Sequence, residues 1–107
     1  MTAIGFVEKQ LDGGYNGQLK TVSIQTEIEI VLNDQKSSSN QPDFRVLTGD
    51  VEIGAGWLKT ANSSGKDYVS LSLAAPEFGP SRLYANLGQA AGSDDPDVFA
   101  IIWNPTD

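Results

Sequence analysis

Residues 22–32 carry the most regular pattern in the chain, an alternation of apolar and polar side chains. The apolar positions are Val22, Ile24, Ile28, Ile30 and Leu32, and the polar positions between them are Ser23, Gln25, Glu27 and Glu29. Successive side chains of a β-strand point to opposite faces, whereas a helix would spread these apolar residues around its circumference. The segment therefore predicts a half-buried strand, which commits the chain to building a sheet.

Further short strand patterns occupy most of the remaining chain. A hairpin is predicted from strands at 4–11 and 15–22, joined through Asp12-Gly13-Gly14, because glycine accepts the positive φ angles of a tight turn. Later strands are predicted at 44–48, 57–61, 68–73, 82–87 and 98–103. Seven or eight short strands without a helix of normal length predict an all-β fold, a single antiparallel barrel or sandwich.

Several loop and glycine signals complete this outline. Polar residues at 33–42 predict a mobile loop, residues 62–66 predict a hairpin turn, and the prolines of 75–80 should stop the sheet. Gly17 predicts a bulge or a close backbone approach inside its strand. Gly54-Ala55-Gly56 predicts a bulge or tight corner next to Trp57, because Lys59 stands where a dinucleotide-binding loop needs a third glycine.

The length of 107 residues suits one domain, 1–107, since a chain of this size hides roughly 65% of its unfolded surface. Within 68–73 we expect Val69, Leu71 and Leu73 to point inward and the alternate residues, Tyr68, Ser70 and Ser72, to point outward.

The absence of cysteine and histidine excludes much chemistry. Disulfides, thiolate nucleophiles, zinc sites built on these ligands and the usual general base near neutral pH all require them. We therefore expect no enzyme and no cofactor. The apolar runs are too short to cross a bilayer and no secretory signal is visible, so no membrane association and a cytoplasmic location are expected.

The net charge is −7, from fourteen acidic and seven basic residues. Such a balance opposes direct binding of duplex nucleic acid, because phosphate contacts require clustered lysine and arginine. It suits a protein partner with a basic surface. Acidity that only keeps a small protein soluble is the simpler reading.

Two groups of carboxylates are candidate partner-binding residues, Glu27 with Glu29 and Asp94 with Asp95 and Asp97. The glutamates should lie about 6 to 7 Å apart on one strand face, a separation also compatible with acid and base roles in sugar hydrolysis, although solvation explains it more simply. The aspartates carry the oxygen ligands that calcium takes, but Pro96 interrupts them and the spacing of a helix–loop–helix calcium site is absent, so no metal is predicted.

An alternative site is aromatic. Tyr15, Phe44, Trp57 and Tyr84 would form a stacking surface for a small ligand or single-stranded nucleic acid if they were exposed together. Basic residues are few and scattered, and packing in the core is the ordinary role of such side chains.

Several segments in order resemble one bacterial family. The first segment is Ile4-Gly5 near the start of the chain. The later segments are GYNG at 14–17, LKT at 19–21, PDFRV at 42–46, IGAGW at 53–57, DYVSL at 67–71, YANL at 84–87 and IWN at 102–104. Together they resemble the family catalogued as domain of unknown function number 736. Residues 74–78 are less acidic than in that family and 79–82 look rearranged, so no role for this loop is carried over.

The resemblance implies a gene on plasmids or other mobile elements, often near conjugation genes, and supplies no catalytic residues. Combined with the acidity, it favours a non-enzymatic interaction protein that binds a basic, nucleic-acid-handling protein, as an anti-CRISPR or anti-restriction factor would. The alternative is a small-ligand or single-stranded nucleic-acid binding module associated with conjugation.

Overall fold

The computed structural model of the protein describes residues 3–22, 24–34, 37–38, 40–62, 64–76, 82–89 and 94–103. The described residues form eight β-strands and contain no α-helix. The strands are β1 (Ala3–Lys9), β2 (Tyr15–Lys20), β3 (Gln25–Leu32), β4 (Phe44–Thr48), β5 (Val51–Thr60), β6 (Asp67–Leu73), β7 (Leu83–Gln89) and β8 (Val98–Trp103).

The strands close into an antiparallel barrel in which each strand pairs with its neighbours in sequence. Closure is made by β8, which pairs with β1, for example Val7 opposite Phe99. Full closure leaves no strand edge exposed to other chains. The predicted all-β antiparallel class is confirmed, and of the two predicted architectures the chain adopts the barrel.

The core lies inside the barrel and is lined by the inward residues of every strand. The most completely buried large side chains are Leu19, Ile30, Val46, Leu71, Leu73 and Ile101. An eight-stranded barrel is just wide enough for side chains to fill it, and small residues must then face large ones. Gly54 and Gly56 supply this contrast, since a Cβ at Gly54 would lie 2.7 Å from Leu73 Cδ2 and one at Gly56 3.0 Å from Leu71 Cδ2.

Most predicted strands are confirmed, with differences at their ends. The strands at 44–48 and 98–103 match, whereas β3 begins at Gln25 rather than at Val22. Thr21 closes a turn before it, because its Oγ1 accepts the N–H of Ile24 at 3.1 Å and its own N–H donates to the carbonyl of Ile24 at 2.7 Å. Val22 is therefore fully exposed in the turn rather than part of the buried face.

The predicted strand at 57–61 was too short, because β5 starts at Val51 and runs through Gly54-Ala55-Gly56. A hairpin at Gly49, with φ 61°, connects it to β4. The pairing of β4 and β5 shifts register so that Val46 faces Gly54 and Leu47 faces Glu52. The bulge therefore falls at Ile53 and not beside Trp57. At Gly17 the register is regular on both sides, so of the two predicted roles this glycine has the close backbone approach and not the bulge.

The alternation predicted for β6 is confirmed by its register, but its outward residues are not exposed. Ser70 and Ser72 retain only 9% and 6% of their exposure. The larger outward residues of the adjacent strands flank them, Trp57 opposite Ser70 and Tyr84 opposite Ser72. Of the proline-containing segment 75–80, only Ala75 and Pro76 lie within the described residues.

Candidate functional site

The outer face of β1, β2 and β3 carries the first predicted pair of site residues. Glu27 and Glu29 both point outward from β3 and are exposed, as the alternation predicted. The register places Glu27 opposite Gln18 and Glu29 opposite Asn16 on β2. Two carboxylates and two amides therefore form a compact square on the barrel wall.

These four side chains surround an open depression, here called the acidic depression, of about 480 Å³. Its lining residues are Asn16, Gly17, Gln18, Glu27, Ile28, Glu29 and Gly49. Gly17 contributes no side chain, and Gly49 lies in the turn between β4 and β5. The result is a hollow with acceptor and donor groups on its walls.

Neither glutamate of the acidic depression forms an ion pair within the described parts of the chain. Glu52 differs, since Arg45 donates to its Oε1 from Nη2 at 2.7 Å and from Nε at 2.9 Å. Lys20 points outward from β2 opposite Gln25, one outward pair from Glu27, without forming an ion pair with it. Glu27 and Glu29 therefore lack an ion-pair partner in the described parts of the chain.

Glu8 extends this acidic wall and was not among the predicted site residues. It faces Asn16 of β2 on one side and Val98 of β8 on the other. Glu8 and Glu29 thus flank Asn16, about 10 Å apart at two strand spacings. The signal was present, because Glu8 and Phe6 alternate with the inward Val7 within the first predicted strand.

The second predicted group, Asp94, Asp95 and Asp97, lies at the entry to β8 and is exposed. Asp95 shapes this turn, since its Oδ1 accepts the N–H of Asp97 at 2.9 Å. Asp97 in turn accepts the N–H of Lys9 through its carbonyl at 2.8 Å. Because β1 and β2 separate β8 from β3, these aspartates do not share the depression of Glu27 and Glu29.

The four aromatic residues of the alternative site do not form one surface. Tyr15 and Phe44 are buried in the core, with ring centroids 6.1 Å apart in an edge-to-face contact, and Phe99 lies 5.5 Å from Tyr15. Burial raises the pKa of the Tyr15 phenol above its ordinary value of 10.0. Trp57 and Tyr84 are half-buried on the outer face, separated by β6. The predicted stacking surface of all four is therefore wrong.

Two searches for other site types concern only the described residues. No cluster of three or more acidic side chains in them is arranged to hold a metal ion. No helix in them is long and apolar enough to cross a membrane.

Comparison with known proteins gives the relationship of the chain. The family model described as Protein of unknown function (DUF736) matches residues 3–106. The chain belongs to the DUF736 family. The DUF736 match runs from the first residue of β1 past the end of β8, so it covers the whole barrel and confirms the predicted resemblance. No curated protein and no solved structure matches the chain.

Proposed function

We propose that this DUF736 chain is a non-enzymatic interaction protein that binds a basic, nucleic-acid-handling protein through the outer wall of β1, β2 and β3. The observation that carries the proposal is the acidic depression, in which Glu27 and Glu29 stand beside Asn16 and Gln18. Carboxylates bind arginine through short, charge-assisted hydrogen bonds, and the amides can add donors and acceptors around the same group. A basic side chain of the partner occupies the depression.

The distribution of hydrogen bonds indicates that Glu27 and Glu29, rather than the aspartates, make the primary contact with the partner. Asp12, Asp43, Asp67 and Asp95 each accept a hydrogen bond that organises a turn or a strand end. The side chains of Glu27 and Glu29 have no such structural partner among the described residues. Asp94, Asp95 and Asp97 act at longer range, where they increase the field that attracts a basic surface.

The open wall also favours binding over catalysis. A carboxylate that acts as a general acid is usually held in an apolar, enclosed environment, as in sugar hydrolysis. Glu27 and Glu29 are both exposed, and their depression opens to solvent. We therefore propose no reaction for this pair.

The class of partner follows from charge and from the family expectation. Proteins that bind nucleic acid present basic grooves, and an acidic surface of regular spacing can occupy such a groove. The resemblance implies genes carried on mobile elements, which face host nucleases. We propose that the partner belongs to a host defence system, so that the chain acts as an anti-CRISPR or anti-restriction factor.

A plasmid-interference assay tests this function. Host strains that each carry one CRISPR or restriction system receive a targeted plasmid with or without the chain. We expect interference to fall in at least one strain and to return with the double variant Glu27→Gln/Glu29→Gln. The matched control is Asp34→Asn/Asp67→Asn, which changes the net charge equally at exposed positions away from the wall. Undiminished interference in every strain contradicts the proposal.

A further inference from the structure

Phe6 is an exposed aromatic residue in the middle of the same wall. It points outward from β1, retains 53% of its exposure, and lies opposite Gln18 of β2 and Ala100 of β8. Ala100 is small and buried, so no large side chain stands opposite Phe6 on β8. Exposed aromatic residues with such a setting are typical anchors of protein interfaces.

A second depression, here called the Phe6 depression, lies beside this ring and measures about 230 Å³. Its lining residues are Ala3, Gly5, Phe6, Gly17, Gln18 and Lys20. The walls are apolar at the Phe6 end, and Lys20 carries the one charged group of the lining. An apolar side chain therefore fits here better than a basic one.

The two depressions adjoin, because Gly17 and Gln18 line both. Their outer walls stand on β1 and β3, two strand spacings or about 10 Å apart, and both depressions share β2. The outward Gln18 and the backbone of Gly17 form the saddle between them. The surface is thus bipartite, because the acidic depression lies toward β3 and the Phe6 depression, whose lining does not include Glu8, lies toward β1.

A second copy of the chain is a poor occupant. In a symmetric dimer through this wall each copy contributes the same patch, whose charged residues are Glu8, Glu27, Glu29 and Lys20, so two surfaces of net negative charge would face each other. Like charges across an interface are strongly unfavourable. The occupant must instead bring positive charge to the β3 side and an apolar group to the β1 side.

We propose that the wall binds one peptide segment of the partner, which places an apolar side chain in the Phe6 depression and an arginine or lysine in the acidic depression. This inference rests on the proposed function and specifies the recognition element. Lys20 sets its direction, because it repels the basic side chain from the Phe6 end. The apolar contact is insensitive to salt, whereas the basic contact is screened.

The test selects a displayed library of random linear peptides on the intact chain and measures the affinity of the enriched peptides. We expect each to combine arginine or lysine with an aromatic or aliphatic residue. Phe6→Thr should weaken binding about tenfold or more, as loss of an interface anchor does. Glu27→Gln/Glu29→Gln should also weaken it and flatten its salt dependence. Leu58→Thr is the control, because Leu58 is equally exposed at 54% but lies on β5.

Gln18→Lys is a second variant that keeps the test decisive if Phe6→Thr does not fold. Gln18 is exposed on β2, and a lysine on the saddle should abolish binding of the selected peptides. Peptides that are basic only and bind Phe6→Thr unchanged overturn the bipartite site and leave the proposed function standing. Purely apolar peptides indifferent to Glu27→Gln/Glu29→Gln contradict both. Absence of any enriched peptide, or a concentration-dependent dimer lost in Phe6→Thr, overturns the inference.

Discussion

Gly17 lies in the middle of β2, opposite Val7, where the barrel wall has no room for a side chain. A Cβ at this position would overlap the carbonyl oxygen of Phe6 and would lie 2.6 Å from Cα of Val7. Gly17 faces the barrel interior, between the buried Tyr15 and Leu19, and its backbone lines both surface depressions. The glycine therefore permits the close packing of β1 on β2.

Gly17→Ala should lower the free energy of unfolding by about 2 kcal/mol or more, because backbone atoms rather than flexible side chains must move to admit the methyl group. Gly65→Ala is the control, since Gly65 has φ 70° but open space around it. There only the positive φ is strained, at about 1 kcal/mol. Urea unfolding of both variants measures the difference, and equal losses would refute the close approach of β1 and β2.

The buried phenol of Tyr15 should make the free energy of unfolding depend on pH in the alkaline range. Burial raises the pKa of its phenol in the folded state, so above about pH 10 the unfolded chain releases a proton that the folded chain retains. The folded state then binds more protons, and stability falls as pH rises until the folded pKa is passed.

Tyr15→Phe should therefore lose less stability than the original chain between about pH 9 and about pH 11. Urea unfolding at a series of pH values checks this. An equally steep loss of stability in Tyr15→Phe would show that burial of this phenol does not cause the loss at alkaline pH.

Among the elements, β6 is buried on both faces over most of its length. Its inward Leu71 has no exposure and faces small residues on both neighbours, Gly56 of β5 and Ala85 of β7. Neither neighbour can extend into the space that a shorter side chain would leave. The side chain of Leu71 thus fills most of the barrel interior between Gly56 and Ala85.

Leu71→Ala should lower the free energy of unfolding by about 3 to 5 kcal/mol, the upper range for a leucine whose cavity cannot collapse. Leu58→Ala, at a leucine that is 54% exposed, should cost about 1 kcal/mol because less apolar surface leaves water. Chemical denaturation provides both values. A small loss for Leu71→Ala would mean that β5 and β7 close over the gap.

The strands were predicted well where apolar and polar side chains alternate and where turn residues mark the ends. The faces of Glu27 and Glu29 followed from period two alone. The predicted strand for β5 was too short because Gly54-Ala55-Gly56 is poor in strand-forming residues. The need for glycine there becomes visible only in the structure, where Leu71 and Leu73 of β6 fill the adjacent space. The Gly49-Asp50 pair between two apolar runs was a turn signal that marked the missed start of β5.

Only part of the candidate site could be predicted from the sequence, because the rest depends on contacts between strands. A single strand shows which residues share a face but not which strands will adjoin it. The opposition of Gln18 to Glu27 and the contribution of Glu8 and Phe6 depend on register between β1, β2 and β3. Tyr15 and Phe44 were misplaced because aromatic residues have the same composition signal in a core as on a surface.

At the scale of the whole molecule, ten of the twelve acidic residues that the structure describes lie in two regions, and Asp50 and Glu52 lie outside them. Seven aspartates lie at the described loops and strand ends of one end of the barrel, Asp12, Asp34, Asp43, Asp67, Asp94, Asp95 and Asp97. Three glutamates, Glu8, Glu27 and Glu29, lie on the side wall without a structural partner among the described residues. The first region provides a general field, and the second provides the contact surface of the proposed complex.

Binding of a basic partner by the side wall is tested most directly by quantitative co-purification from a host that carries CRISPR and restriction systems. The original chain, Glu27→Gln/Glu29→Gln and Asp34→Asn/Asp67→Asn are compared in parallel by mass spectrometry. We expect a basic, nucleic-acid-handling protein that is enriched with the original chain and with Asp34→Asn/Asp67→Asn, depleted with Glu27→Gln/Glu29→Gln, and released by salt. A partner retained equally by all three chains, or one without a basic surface, would contradict it.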